Sequence, residues 1–268
     1  MAAPGRAATD LALQGSPGQG GRVTLLLLLV AAGIWAGAQN ALAGGGSFIT
    51  LPALIAAGLD PKLANITSTI ALFPGQMTTG LAGRSLVCGA ERLSFSALAI
   101  IAFSGGIGGA FLLIATPATV FSAMVPWLVF GATALFGWSS FGSKSVVASA
   151  PPPAWVTVAT QSLIGLYGGF FGGGAGIMTL ASLTLARLPV RNAAATKNVL
   201  IALSNLSAAA IFAFSGTVQW REALAIGAGA MLGGYLGARA LKVLPERALK
   251  IGVIVIGVAL TIALFLRA

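Results

Sequence analysis

The chain of 268 residues has no histidine, one cysteine and only five acidic residues. Because Cys88 has no second cysteine to pair with, an internal disulfide is excluded, and a metal site built from several His or Cys ligands is excluded as well. We expect Cys88 to be an ordinary loop residue and no cofactor to be bound. The acidic residues all fall in the expected tail or loops: Asp10, Asp60, Glu91, Glu222 and Glu246.

Charge of either sign is scarce, since charged residues make up 7% of the chain and hydrophobic residues 57%, with a mean hydropathy of +0.96. A soluble domain needs more polar groups to cover its surface, so this composition predicts an integral membrane protein. Apolar runs of about 20 residues, the length that crosses about 30 Å of hydrocarbon, predict helices. They lie at 23–43, 62–83, 94–115, 117–139, 192–214, 222–238 and 249–266, with shorter runs at 47–58, 155–171 and 175–186.

The chain contains an internal duplication. The stretch G-G-G-S-F-I-T-L-P-A-L from Gly44 reappears 129 positions later as G-G-A-G-I-M-T-L-A-S-L from Gly173. In the same register Lys62 matches Arg191 and Gln76 matches Asn205. Two copies of a glycine-broken apolar segment followed by polar residues are typical of transporters that bind their substrate between two halves.

Composition and duplication together predict four parts. They are a disordered tail at 1–21, which is rich in Gly and Ala, a first transmembrane repeat at 22–145, a Pro-containing linker at 146–154 and a second transmembrane repeat at 155–268. A cleavable signal peptide is an alternative for the segment from Arg22 to Ala38, which has a leucine run and an A-x-A-like end. The matching segment before the second glycine cluster, Gln161 to Phe171, lies deep inside the chain and argues against it.

Basic residues discriminate between two topologies. If the chain crosses the membrane eight times and the halves are parallel, each side of the membrane holds seven of the Lys and Arg residues. If each glycine-broken region instead crosses the membrane and returns, the halves are inverted, and one side holds nine of these residues and the other side five. The nine are Arg84, Arg92, Lys144, Arg187, Arg191, Arg239, Lys242, Arg247 and Lys250. Because cytoplasmic loops are enriched in Lys and Arg, the count favours inverted halves.

Two glycine clusters interrupt apolar runs where helix formers would be expected, at Gly44 to Gly46 and at Gly172 to Gly174. A helix broken at membrane depth exposes N–H groups at the start of the next half-helix, where partial positive charge attracts anions. Close helix packing is the alternative interpretation of these glycines. We expect the anion site to include Gly44, Gly45, Gly46, Ser47, Gly173, Gly174 and Gly176.

Small polar side chains follow each cluster, just inside the next span. They can donate to an oxyanion, although Ser and Thr in membrane helices also bond to their own backbone or to a neighbouring helix. The predicted ligands are Thr67, Ser68, Thr69, Gln76, Thr196, Lys197, Asn198 and Asn205. Lys197 is the strongest candidate, because an ionisable residue within an apolar span is costly and marks a functional site by default. Snorkelling towards the cytoplasmic edge is its alternative role.

These segments, together with L-D-P-K, N-I-T-S-T, A-A-A-T-K-N and G-A-M-L-G-G-Y-L-G-A-R, resemble the sulfite exporter TauE/SafE family over about residues 23–266. The resemblance implies a bacterial inner-membrane permease for sulfite, sulfoacetate or a related sulfur-containing anion. Where the family often carries a Ser or Thr pair, this chain has Thr196 and Lys197.

We therefore predict an all-α polytopic permease that is not an enzyme, with a small anion and the lipid bilayer as partners and no nucleic acid. The sequence leaves self-association open. A membrane-embedded enzyme would need nucleophiles, bases or metal ligands that are scarce here. A cation channel or carrier would need intramembrane carboxylates.

Overall fold

The computed structural model of the protein describes residues 19–42, 44–90, 92–141 and 152–240 and scattered positions between 251 and 266. The described part is helical, with a single isolated β-bridge in the loop between the third and fourth helices. Its nine α-helices are α1 (Gln19–Leu42), α2 (Ser47–Ala56), α3 (Pro61–Ala82), α4 (Phe95–Ala115), α5 (Ala118–Phe141), α6 (Ala154–Phe170), α7 (Ala175–Leu185), α8 (Val190–Ala213) and α9 (Trp220–Ala240).

Within the described residues, four helical segments are long and apolar enough to cross a membrane: Gly20–Ala41, Phe95–Ala115, Ala118–Leu135 and Arg191–Ala213. Large apolar side chains cover the outside of the bundle, among them Trp127, Leu163 and Leu224, each at least 64% exposed. Such exposure would be costly in water and is favourable in lipid. The expectation of an all-helical polytopic membrane protein is confirmed.

Helices α1 and α9 pack side by side through glycine and run in the same direction. Gly33 faces the backbone of Ile226, and Gly37 faces that of Ala230. A Cβ at Gly33 would lie 2.3 Å from the Ile226 carbonyl oxygen, so only glycine allows this approach. The pair of α4 and α6 is built alike, with Gly105 packed against Gly165.

Helices α3 and α8 cross in opposite directions at the centre of the bundle. Gln76 bonds to Asn205, Gly80 approaches Val199 and Gly83 approaches Ala195, so residue numbers rise along α3 as they fall along α8. The loop after α3 consequently lies beside the start of α8, where the Asn192 amide donates to the Leu86 carbonyl at 2.9 Å.

The opposite side of the bundle holds the start of α3. Asp60 caps this helix by accepting from the N–H groups of Lys62 and Leu63, and the Lys62 ammonium donates to the Ile114 and Thr116 carbonyls at the end of α4. The start of α9 lies at the same level, because the Gln219 N–H donates to the Thr67 hydroxyl.

Helix α2 returns the chain across the bundle. Gly75 of α3 faces Ala230 of α9, and residue numbers rise together along these two helices. Helices α3 and α9 therefore run in the same direction. Since α1 runs with α9 too, α1 and α3 share one direction, and the segment between them must return to the side on which α1 began. Helix α2 makes this return with 10 residues, about 15 Å of helix.

Several expectations need correction or fall outside the described residues. Glu222, expected in a loop, lies in the first turn of α9, where a carboxylate is favourable. The expected tail at 1–21 lies outside the described residues up to position 18, and α1 begins at Gln19. Of the expected linker, 146–151 lie outside them too, and α6 begins at Ala154.

Candidate functional site

A partly enclosed cavity lies where the two glycine breaks meet α3 and α8. Its volume is about 30 Å³, and since about 10–15 Å³ holds one water molecule, it has room for two to three water-sized groups. This is the scale of a small oxyanion head. The cavity is lined by Asn40, Gly44, Gly45, Ser47, Gln76, Thr79, Gly172, Gly176, Lys197, Asn198 and Ile201.

Left-handed backbone shapes the two glycine breaks. Gly44 and Gly45 have φ of 82° and 87° before α2, and Gly172 and Gly174 have φ of 78° and 82° before α7. A side chain is strained in this region, and glycine is not. The first break is also held by Asn40, whose Oδ1 accepts from the Gly46 N–H at 2.7 Å.

The first turns of α2 and α7 bring free N–H groups to the cavity. Ser47 and Gly176 occupy matching places at these helix starts, and both line the cavity. Neither N–H has a backbone or side-chain acceptor among the described residues. Because helix N-termini carry partial positive charge, two of them meeting at one cavity favour an anion.

Lys197 supplies the full positive charge of the cavity. The residue is 3% exposed and lies in α8, about 10 Å along from its first residue. A methyl group added at Gly44 would lie 3.8 Å from its Nζ, and one at Gly176 would lie 3.7 Å from its Cδ. No residue of the described segments forms a hydrogen bond or ion pair with its side chain, so the ammonium is left available to a ligand.

Amide groups complete the lining at the crossing of α3 and α8. Gln76 is 8% exposed, and its Oε1 accepts from the Asn205 Nδ2 at 2.6 Å. Asn198 lines the cavity one residue after Lys197. Thr79 also lines it, and its hydroxyl donates to the Gly75 carbonyl at 2.7 Å.

The structure brings seven of the expected site residues together at the cavity. They are Gly44, Gly45, Ser47, Gln76, Gly176, Lys197 and Asn198. Lys197 does not snorkel to the edge of the bundle in this arrangement, because its side chain is buried among both glycine breaks.

The other expected residues lie around the cavity rather than on it, each bonded or packed elsewhere. Ser68 bonds to Thr50, Thr69 donates to the Asn65 carbonyl, and Thr67 accepts from the Gln219 N–H. Thr196 bonds to both backbone groups of Cys88, so this loop cysteine is tied to α8. Gly46 donates to Asn40, the Gly173 carbonyl accepts from Tyr167, Gly174 packs against Ala132, and Asn205 donates to Gln76.

Sequence reasoning missed Asn40, Thr79, Gly172 and Ile201 as lining residues. Gly172 carried a signal, because it belongs to the second glycine cluster. Thr79 lies three residues after Gln76, on the same face of α3, and helical periodicity could have indicated it. Asn40 lies before the first glycine break, and Ile201 has no polar group to attract attention.

Comparison with known proteins places the chain in a family. The profile of the family described as sulfite exporter TauE/SafE matches residues 29–264. The chain belongs to the TauE/SafE family. This confirms the resemblance inferred from the glycine motifs, and it shows a transporter family rather than an enzyme family.

Curated relatives of this TauE/SafE chain carry transporter names. A probable membrane transporter protein, ORF9, from Sinorhizobium sp. is 32% identical over 90% of this chain and 92% of its own length. A probable membrane transporter protein from Haemophilus influenzae is 30% identical over 81% and 85%, and YfcA of Escherichia coli is 30% identical over 80% of both chains. No solved structure matches the chain.

Proposed function

We propose that the protein is a permease of the bacterial inner membrane that exports a small, sulfur-containing oxyanion of the sulfite or sulfoacetate class. The observation that carries this proposal is the buried Lys197 ammonium, which has no partner among the described residues and faces a cavity with the free N–H groups of Ser47 and Gly176. The family name and the bacterial relatives support the substrate class and the membrane.

The charge of the cavity favours an anion over a cation. No carboxylate lies among the lining residues, and the acidic residues Asp60 and Glu222 lie at helix starts. A cation site would need such groups to replace water around the ion. Lys197 would bind the anion by charge, while Ser47, Gly45 and Gly176 would donate from the backbone and Gln76 and Asn198 from side chains.

We also propose that residues 22–145 and 155–268 are inverted repeats, with the site between them near the middle of the membrane. The antiparallel crossing of α3 and α8 supports this, because equivalent helices of parallel repeats would run in the same direction. The contact between Gln76 and Asn205, which are 129 residues apart, supports it too. A two-fold axis through the crossing would bring equivalent residues together in this way.

Membrane potential would drive the export. A potential of 100 mV, negative inside, favours outward movement of each negative charge by about 2.3 kcal/mol. A coupling proton is unnecessary under this proposal, and no carboxylate on the cavity wall could carry one.

Sulfite efflux from proteoliposomes tests the proposal. Purified protein should release sulfite faster than protein-free liposomes, and an inside-negative potassium diffusion potential should accelerate the release. Efflux should persist when a proton carrier collapses the pH gradient at clamped potential. Absence of protein-dependent flux for sulfite, sulfoacetate, thiosulfate, sulfate and taurine alike would contradict the proposed substrate class, and strict dependence on the pH gradient would contradict the coupling.

A further inference from the structure

We propose that Asn205 is a positioning residue that sets the hydrogen-bonding polarity of the cavity through Gln76, and thereby selects ligands that only accept hydrogen bonds. This inference rests on the proposed function, since it concerns the same cavity and the same class of ligand. It assigns Asn205 an indirect role in place of the direct ligand contact expected from the sequence.

The bond between the two amides determines which group of Gln76 is free. Asn205 donates from Nδ2 to Gln76 Oε1 at 2.6 Å, and the two residues are 7% and 8% exposed. Gln76 lines the cavity, whereas Asn205 does not. The Gln76 carbonyl is thus occupied, and its Nε2 has no partner within the described segments.

The remaining Gln76 amino group adds one more donor to a wall already rich in donors. Lys197 offers an ammonium, which has no acceptor function, and Ser47 and Gly176 offer backbone N–H groups. A sulfonate oxygen next to Gln76 would accept from Nε2. A ligand that turned an N–H towards Nε2 would leave two buried donors facing each other without acceptors, which is costly.

If the side-chain amide of Gln76 turned so that its carbonyl faced the cavity, this preference would be reversed. Asparagine can donate or accept, but a carboxylate can only accept hydrogen bonds. In Asn205→Asp the carboxylate would therefore attract the Gln76 amino group and turn the Gln76 carbonyl towards the cavity. The added negative charge would weaken the binding of every anion, but it would weaken two anions of equal charge and similar size alike.

The matched probes are methanesulfonate, which only accepts hydrogen bonds, and sulfamate, which carries N–H donors in place of the methyl group. Both are monoanions with a sulfonate head. The affinity ratio of sulfamate to methanesulfonate, measured by calorimetry on purified full-length protein, should rise about five- to tenfold in Asn205→Asp relative to the wild type. An unchanged ratio in a folded Asn205→Asp variant would overturn the inference.

A double-mutant cycle keeps the inference testable if Asn205→Asp does not fold. Gln76→Met should weaken sulfite binding about ten- to a hundredfold, the range for a hydrogen bond to a charged group. Asn205→Leu should weaken it about three- to tenfold in the wild type and less than twofold in the Gln76→Met background. Equal losses in both backgrounds would show that Asn205 acts independently of Gln76 and would overturn the inference.

Asn65→Leu is the matched control, because Asn65 is a buried amide that donates to the Phe170 carbonyl and does not line the cavity. It should lower stability and leave the affinity for sulfite unchanged, and a loss of affinity equal to that of Asn205→Leu would count against a specific role of Asn205. A wild-type protein that binds none of the three probes would contradict the proposed function itself.

Discussion

Lys197 is the residue at which the cost of burial and the benefit of function are most directly opposed. A lysine near a helix centre in a bilayer costs about 2.5–3.5 kcal/mol on insertion scales. The cost is not offset by an ion pair among the described residues, where both glycine breaks surround the side chain. The free energy to retain this charge must come from elsewhere, and a bound anion would supply it.

Lys197→Met should therefore separate stability from binding. Because methionine keeps an unbranched side chain only one atom shorter than that of lysine and removes its charge, the melting temperature should stay unchanged or rise. The affinity for sulfite should fall by about 1.5–3 kcal/mol, the range for a hydrogen bond to a charged group. Lys197→Arg should restore binding only in part, because the planar guanidinium needs more room than an ammonium.

Lys62→Met is the matched control for this comparison. The Lys62 ammonium bonds to the Ile114 and Thr116 carbonyls on the far side of the bundle. Its loss should lower stability without changing the affinity for sulfite. A Lys197→Met variant that is well folded and binds sulfite like the wild type would remove Lys197 from the site.

Residue types indicated which side chains could bind an anion, but not which of them face the cavity. Lys197 could be singled out because its burial cost is independent of the details of packing. Thr196 is adjacent in the chain, yet its hydroxyl bonds to Cys88 in a loop 108 residues away. No spacing along α8 reveals that contact, and the same holds for the bond between Thr67 and Gln219.

At the scale of helices, glycine determines which elements can approach each other. A Cβ at Gly233 of α9 would lie 1.9 Å from the Ile34 carbonyl oxygen of α1. The clash involves backbone on both sides, so neither helix could relieve it by rotating a side chain. The contact between α1 and α9 is the most extensive between any two of the nine helices.

Gly233→Ala should consequently destabilise the protein strongly, by at least the 1–3 kcal/mol that is typical of overpacking. Gly131→Ala in α5 is the matched control, because a Cβ there meets nothing within 4 Å. This control should leave stability unchanged or raise it by up to about 1 kcal/mol, since alanine is the better helix former. Thermal unfolding of both variants in detergent checks the pair, and equal melting temperatures would contradict the packing argument.

Element bounds followed closely from hydropathy. The apolar runs at 94–115 and 175–186 correspond to α4 (Phe95–Ala115) and α7 (Ala175–Leu185). The direction of each helix could not be predicted from hydropathy, because hydropathy carries no information on direction. The contacts of α1 and α3 with α9 show that α2 is a returning segment.

At the scale of the whole molecule, the contacts bear on the inverted topology that charge counting favoured modestly. Parallel halves would put Arg84 and Arg191 on opposite sides of the membrane. The structure instead has Asn192, next to Arg191, bonded to Leu86 in the loop that begins at Arg84. The nine basic residues of the inverted arrangement include both, and Lys144, Lys242, Arg247 and Lys250 among them lie outside the described residues. The charge bias was modest because the chain has only fifteen Lys and Arg residues to distribute between the two sides.

Cysteine labelling in intact cells tests this topology. In a Cys88→Ala background, which removes a thiol and keeps the backbone bonds to Thr196, single cysteines replace Arg84, Arg191 or Arg221. The first two should be protected from an impermeant thiol reagent added outside, because the side of the bundle that carries them is expected to face the cytoplasm. The Arg221 site should be labelled, since α9 begins at the level of Thr67 on the opposite side.

Permeabilised cells provide the control, because all three cysteines should react once the reagent reaches both sides of the membrane. Parallel halves make a different prediction, with Arg84 and Arg221 protected together and Arg191 labelled. Labelling of Arg191 alongside protection of Arg84 would therefore contradict both the inverted repeats and the antiparallel crossing of α3 and α8. Protection of the Arg84 and Arg191 sites with labelling of the Arg221 site would place the end of α3 and the start of α8 at the cytoplasmic surface. Thr79 and Lys197 line the cavity on this side of Gln76. This orientation would agree with the proposed export, in which an anion enters the site from inside the cell.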